Sequence, residues 1–215
     1  MLFRSRIVDV IPLTVAAHDS YVGITPTWIA LTATVGMWLT HITYQLSGPS
    51  VAGQYLAGRF SPHEVGVIML GYALVFALGV TIWGFVLVRM TWLRALRITL
   101  MAMLVACLWL ALLNHAGGLS VWGRGGLVTL AAFSILVESG FTPTALAYLA
   151  DIADQGDGRG SAMGIYSLLL GIGSVLGAFL GGLMAHILAF DGLLLGTVML
   201  VLLALLVLPR NARKA

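Results

Sequence analysis

The chain has 215 residues, 60% of them hydrophobic and only 9% charged, with a mean hydropathy of +1.03. A water-soluble domain of this size needs far more charge to cover its surface, so a soluble globular fold is excluded. The net charge of +3 comes from a few short basic connections and gives no argument for a nucleic-acid partner. Cys107 is the one cysteine and lies inside an apolar run, so the chain has no intrachain disulfide.

Residues 1–26 carry Arg4 and Arg6 ahead of an apolar stretch that Asp9 and Pro12 interrupt. This reads as a cytoplasmic lead-in, not a cleaved signal peptide, because a complete membrane domain comes after it. A helical span needs about 20 apolar residues to cross the hydrocarbon core. There are six candidates: Thr27–Tyr55, Pro62–Val88, Trp92–Leu113, Val121–Ala150, Ser161–Leu188 and Gly192–Leu208. A barrel strand would be half as long and would alternate, so the domain over 27–208 is all-α. Residues 209–215 form a basic tail.

Several boundaries are written in local chemistry. Ser61-Pro62-His63-Glu64 is a capping box with proline at the first helical position. Asp157-Gly158-Arg159-Gly160 is a turn between the fourth and fifth spans, and Pro209 stops the sixth. Pro49 and Pro143 are helix disruptors in the first and fourth candidates, which exceed the length of a straight span.

The basic residues set the orientation. Arg4, Arg6, Arg89, Arg94, Arg97, Arg159, Arg210, Arg213 and Lys214 fall on one side of the six-span pattern, and only Arg59 and Arg124 on the other. Basic connections stay cytoplasmic. The expectation is a multi-pass protein of the cell (inner) membrane, with six transmembrane helices and both termini cytoplasmic.

Polar residues are unevenly divided among the spans. The first holds Thr32, Thr34, Thr40, His41, Thr43, Tyr44 and Gln45, and the fourth Thr129, Ser134, Glu138, Ser139, Thr142, Thr144 and Tyr148. The sixth has only Thr197, and the third is apolar from Leu100 to Leu113 except for Cys107. The first and fourth helices are expected to line a cavity, and the third and sixth to form an outer buttress. Gly173, Gly177 and Gly181, at four-residue spacing, mark one face of the fifth helix for close packing.

The run Ala147-Tyr148-Leu149-Ala150-Asp151, then Arg159-Gly160-Ser161-Ala162-Met163-Gly164 and the glycines ending at Gly181-Gly182, resembles the C-terminal six-helix half of the major facilitator superfamily. It is similar to that family's tenth helix, short cytoplasmic turn and eleventh helix. Gly84-Phe85-Val86-Leu87-Val88-Arg89-Met90-Thr91 resembles the signature loop Gly-x-Leu-x-Asp-Arg-x-Gly. Gly84 and Arg89 match, while Val88 replaces the aspartate and Thr91 the second glycine. The resemblance spans Thr27 to Arg213 and implies half of a twelve-helix transporter fold, with residues 1–26 corresponding to the central loop. It further implies that the first and fourth helices line the cavity, in agreement with the polar census. Arg89, Asp151 and Arg159 would form a cytoplasmic gate.

Glu138 is the one acidic residue deep within a span, and ionised in hydrocarbon it costs at least about a few kcal/mol. It is therefore a candidate proton-coupling or cationic-substrate site, or a neutral carboxyl hydrogen-bonded to a neighbouring helix. Spacing puts Ser134, Glu138 and Thr142 on one helix face. His41 is a second proton-coupling candidate, and shares a face with Thr34, Trp38 and Gln45. The expected substrate cavity is bounded by Trp38, His41, Tyr44, Gln45, Glu138 and Phe141.

No enzyme is expected. Ser174 lacks the Gly-x-Ser-Gly setting of an intramembrane serine protease, and His186 lies about 18 Å farther along the same helix, too far to act as its base. No paired metal ligands and no phosphate loop occur, so neither cofactor nor metal is implied. The sequence predicts the C-terminal half of a secondary transporter that moves a small solute by alternating access, with proton coupling through Glu138. Its partners are membrane lipid, a small-molecule substrate, and an N-terminal six-helix half or a second copy. The alternative is a non-transporting six-helix membrane protein such as a scaffold or enzyme subunit.

Overall fold

Regular structure is entirely helical among the residues that the computed structural model describes: 33, 37, 41–154 and 159–208, the side chains of 148–163, 165 and 166 excepted. The lead-in over 1–26, Trp38, the Asp157-Gly158 turn and the tail over 209–215 lie outside the described residues. The described end of the first helix, α1, covers residues 41–47. It is followed by α2 Pro62–Val86, a 3-10 turn Leu87–Arg89, α3 Trp92–Asn114, α4 Val121–Glu138, α5 Phe141–Asp154 and α6 Arg159–Val207. Among the described residues, four stretches are long and apolar enough to cross a membrane: Pro62–Arg89, Trp92–Asn114, Val121–Ala147 and Ser167–Val207.

The start of α2 obeys the expected chemistry. The Ser61 N–H donates to Glu64 Oε2 at 2.8 Å, and the Glu64 N–H returns a bond to Ser61 Oγ at 3.4 Å. This reciprocal pair, with Pro62 behind it, satisfies donors that the first helical turn leaves free.

Two proline-bearing helices differ from expectation. The first helix is not continuous to Tyr55: it ends at Ser47, and residues 48–61 form an irregular segment folded over one end of the bundle. Pro49 cannot donate a helical hydrogen bond and stops the helix instead of kinking it. The segment is held in place by the Gly58 N–H on the Gln45 carbonyl (2.7 Å) and the Tyr55 N–H on the Asn114 carbonyl (2.6 Å). The fourth candidate is two helices, α4 and α5, parted at Ser139-Gly140. Pro143 has no N–H for the carbonyl four residues back, and the helix opens there. Thr144 restores the pairing, its hydroxyl donating to the Gly140 carbonyl at 2.6 Å and its N–H to the same atom at 3.1 Å.

The α4–α5 break is also a packing joint. A Cβ on Gly140 would collide with the indole of Trp83, and one on Gly79 with Ser139. Gly140→Ala is therefore expected to lower stability by about 1–3 kcal/mol, the range for overpacking a close contact. Gly126, within α4 and open on all sides, should instead gain about 0.5–1 kcal/mol on Gly126→Ala, through helix propensity. Thermal unfolding of the two purified variants in detergent checks this; shifts of the same sign and size would contradict the joint.

α6 is two arms that meet at Ala189, whose φ of 51° and ψ of −129° are non-helical. A Cβ on Gly192 would strike the Met184 backbone, so glycine is what lets the chain fold back so closely. Beyond the bend, Leu193 packs with Met37, Met184 and Ala185. Ahead of it, the small-residue face receives the first helix: Gly177 lies against Ala33, and Gly181 against Met37 and His41. The expected glycine stripe thus joins the first helix to α6.

α3 and the second arm of α6 share a core of Leu93, Leu96, Leu100, Met103, Val201, Ala204 and Leu208. Both keep an apolar outer face, as Met101, Leu108, Met199 and Leu206 are exposed.

Candidate functional site

A cavity of about 760 Å³ runs into the bundle between α1, α2, α3 and α4 from the end covered by residues 48–61. Its α4 wall is built from Arg124, Gly125, Val128, Ala131, Ala132 and Ile135, positions three or four apart and hence one helical face. From Arg124 to Ile135 this wall is about 16 Å long at the helical rise. Gly125, Ala131 and Ala132 keep it hollow. The facing wall is Ile68, Met69, Gly71, Tyr72 and Val75 of α2.

The rim carries charge. The Arg124 guanidinium lies 4.8 Å from the centre of the Tyr55 ring, and that of Arg59 lies 5.9 Å from it. Tyr55 also meets Phe60 edge to face, with centroids 6.4 Å apart. Arg59 Nε donates to the Gln54 carbonyl at 2.9 Å. Beside the rim, Asp191 accepts hydrogen bonds from Asn114 Nδ2 (2.7 Å) and Gln54 Nε2 (3.2 Å), and lies 3.0 Å from His115 Nε2. Asn114 is fully buried and also takes the Leu56 N–H on Oδ1 at 2.9 Å. The network ties the irregular segment, the end of α3 and the bend of α6 together, and so fixes the mouth.

At the inner end, Glu138 is the last residue of α4, half-buried, one turn beyond Ile135. It lies within electrostatic reach of the Tyr72 hydroxyl, which lines the cavity, and of the buried Cys107 thiol.

The other expected site residues are dispersed. The His41 ring Nε2 pairs with the Ala178 carbonyl, which can only accept, so that nitrogen bears the proton. Among the described residues no hydrogen bond or ion pair joins His41 to Glu138. Tyr44 is 61% exposed, whereas Gln45 is buried beneath residues 48–61. Phe141 packs on the core shared by α3 and α6. Of the face expected to hold Ser134, Glu138 and Thr142, Ser134 is buried and Thr142 exposed, because the break at Ser139-Gly140 turns α5 out of phase with α4. Arg89 ends the 3-10 turn and is exposed. Asp151 and Arg159 lie in α5 and α6, and their side chains fall outside the described residues.

Sequence reasoning passed over Tyr55, Tyr72 and Arg124. It treated Arg124 only as a topology marker. The signal was a lone arginine heading a stripe of small and aliphatic residues at helical spacing.

No curated protein and no solved structure matches the chain. The family described as the Major Facilitator Superfamily matches residues 27–215, and the chain belongs to that superfamily, as a multi-pass membrane protein.

Proposed function

We propose that this chain is the C-terminal six-helix half of a secondary transporter, moving a small solute across the cell membrane by alternating access. Membership of a transporter family sets the class. The observation that carries the reading is the cavity of about 760 Å³, within the usual size of small-molecule sites, with Glu138 within electrostatic reach of Tyr72 in its lining. Glu138 is the proton-coupling group. His41, tied to Ala178, braces the first helix on α6 and stands as the second candidate. Of the substrate-cavity candidates, Tyr44 is exposed and would meet the other half, Gln45 and Phe141 pack within this one, and Trp38 lies outside the described residues. Arg89, Asp151 and Arg159 form the gate at the opposite end from Arg59 and Arg124.

The bend at Ala189 supports a division of α6 into two spans; six spans, with the basic connections on the inner side, would put both termini in the cytoplasm. Single cysteines near Arg59 or Arg124 should then react with an impermeant maleimide added outside cells. Those near Arg94 or Arg213 should react only after permeabilisation. Cys107 is buried and contributes little background. Labelling in the reverse pattern would remove the six-span reading. The transport reading itself is tested by flux of the assembled protein over a solute panel, with and without a proton gradient.

A further inference from the structure

The cavity is chemically lopsided. Its lining is mostly apolar, aliphatic and small residues with the aromatic rings of Tyr55, Phe60, Tyr72 and Phe190, and Val75 and Ile135 lie farthest along their helices, while among the described residues its one charged lining residue is Arg124 at the rim. Arg124 is half-buried, and its guanidinium sits over the Tyr55 ring. Among the described residues no carboxylate forms an ion pair with Arg124 or Arg59. The two acids near that end are engaged elsewhere, Glu64 in the Ser61 cap and Asp191 with Asn114, Gln54 and His115. A guanidinium stacked on an aromatic ring keeps its edge donors free, and those donors match a carboxylate in two parallel bonds.

Resting on the reading of this cavity as the solute site, we infer that it takes small organic monoanions with an apolar body, an aromatic or medium-chain carboxylate, head on Arg124 and body toward Ile135. The wall length of about 16 Å limits the body. Arg59 adds a second positive charge at the mouth and draws anions to it. A cationic or zwitterionic solute would set its ammonium against Arg124, and a sugar would leave most of its hydroxyls unpaired on the largely apolar walls.

The test is equilibrium binding of 2-naphthoate and its uncharged counterpart 2-naphthamide to the full chain in lipid nanodiscs, with empty nanodiscs subtracted. Naphthoate should bind at least about tenfold more tightly, as expected for a charge-assisted pair in a partly desolvated site. Arg124→Gln should bring the two ligands to within about twofold, while Arg124→Lys, which keeps the charge, retains most of the preference. Ala131→Trp, which fills the cavity, should remove binding of both. Equal binding of the two ligands to the parent overturns the inference, as does a preference that survives Arg124→Gln, or binding that survives Ala131→Trp. Flux is read separately. Naphthoate binding as described, with no flux of any solute by the assembled protein, removes the transport reading and leaves the site. Flux without a charge preference in binding removes only the inference.

Discussion

Glu138→Gln in the assembled transporter is expected to abolish accumulation of substrate against its gradient, bringing the inside-to-outside ratio to about 1, while downhill exchange persists. The carboxyl closes α4 at the Ser139-Gly140 break and lies within electrostatic reach of Tyr72 and Cys107. Carrying a bare charge there costs several kcal/mol, so the group holds a proton unless water or a partner reaches it. On the proposed alternating-access mechanism, one conformation would admit water to the carboxyl and the other would withdraw it. Glutamine has the size of the protonated acid but cannot release a proton. The structure that binds substrate is kept, and the coupling is lost. Uptake into proteoliposomes with an imposed proton gradient, set beside counterflow without one, separates the two. A variant that accumulates substrate as the parent does would make Glu138 a packing residue.

Much of the architecture could be read from residue types because the bilayer leaves few choices. Unbroken apolar runs must be helices, and the Ser61–Glu64 box marks its own helix start. The glycine stripe at 173, 177 and 181 announced a close approach, and the structure places Ala33, Met37 and His41 on it. What could not be read was how each proline acts. Pro49 and Pro143 look alike in sequence. One ends a helix because residues 48–61 find other partners in Gln45 and Asn114; the other parts two helices because Thr144 repairs the pairing and Trp83 needs the space over Gly140. Both outcomes depend on residues that are distant in sequence. The cavity was obscured for a related reason. A census of polar residues points to helices that face protein or water, but the cavity walls are mostly apolar, and hollow through the small size of Gly125, Ala131 and Ala132. Asp191 likewise sits beside a predicted span boundary, and only the fold joins it to Asn114, Gln54 and His115.

A single copy of residues 1–215 is expected not to transport. Tyr44 and Thr142 lie exposed on helices of the membrane domain, and a hydroxyl facing lipid without a partner is costly. α2 is covered along little of its length: Leu70, Leu74, Leu78 and Phe85 are exposed on it. A second six-helix half, or a second copy, would cover these faces and supply the other wall against which this one rocks. The most direct measurement is solute uptake by liposomes containing the chain as a demonstrated monomer, run in parallel with the assembly purified from membranes. The monomer is expected to give no flux above empty liposomes, and the assembly saturable flux. Saturable uptake by the monomer alone would contradict it.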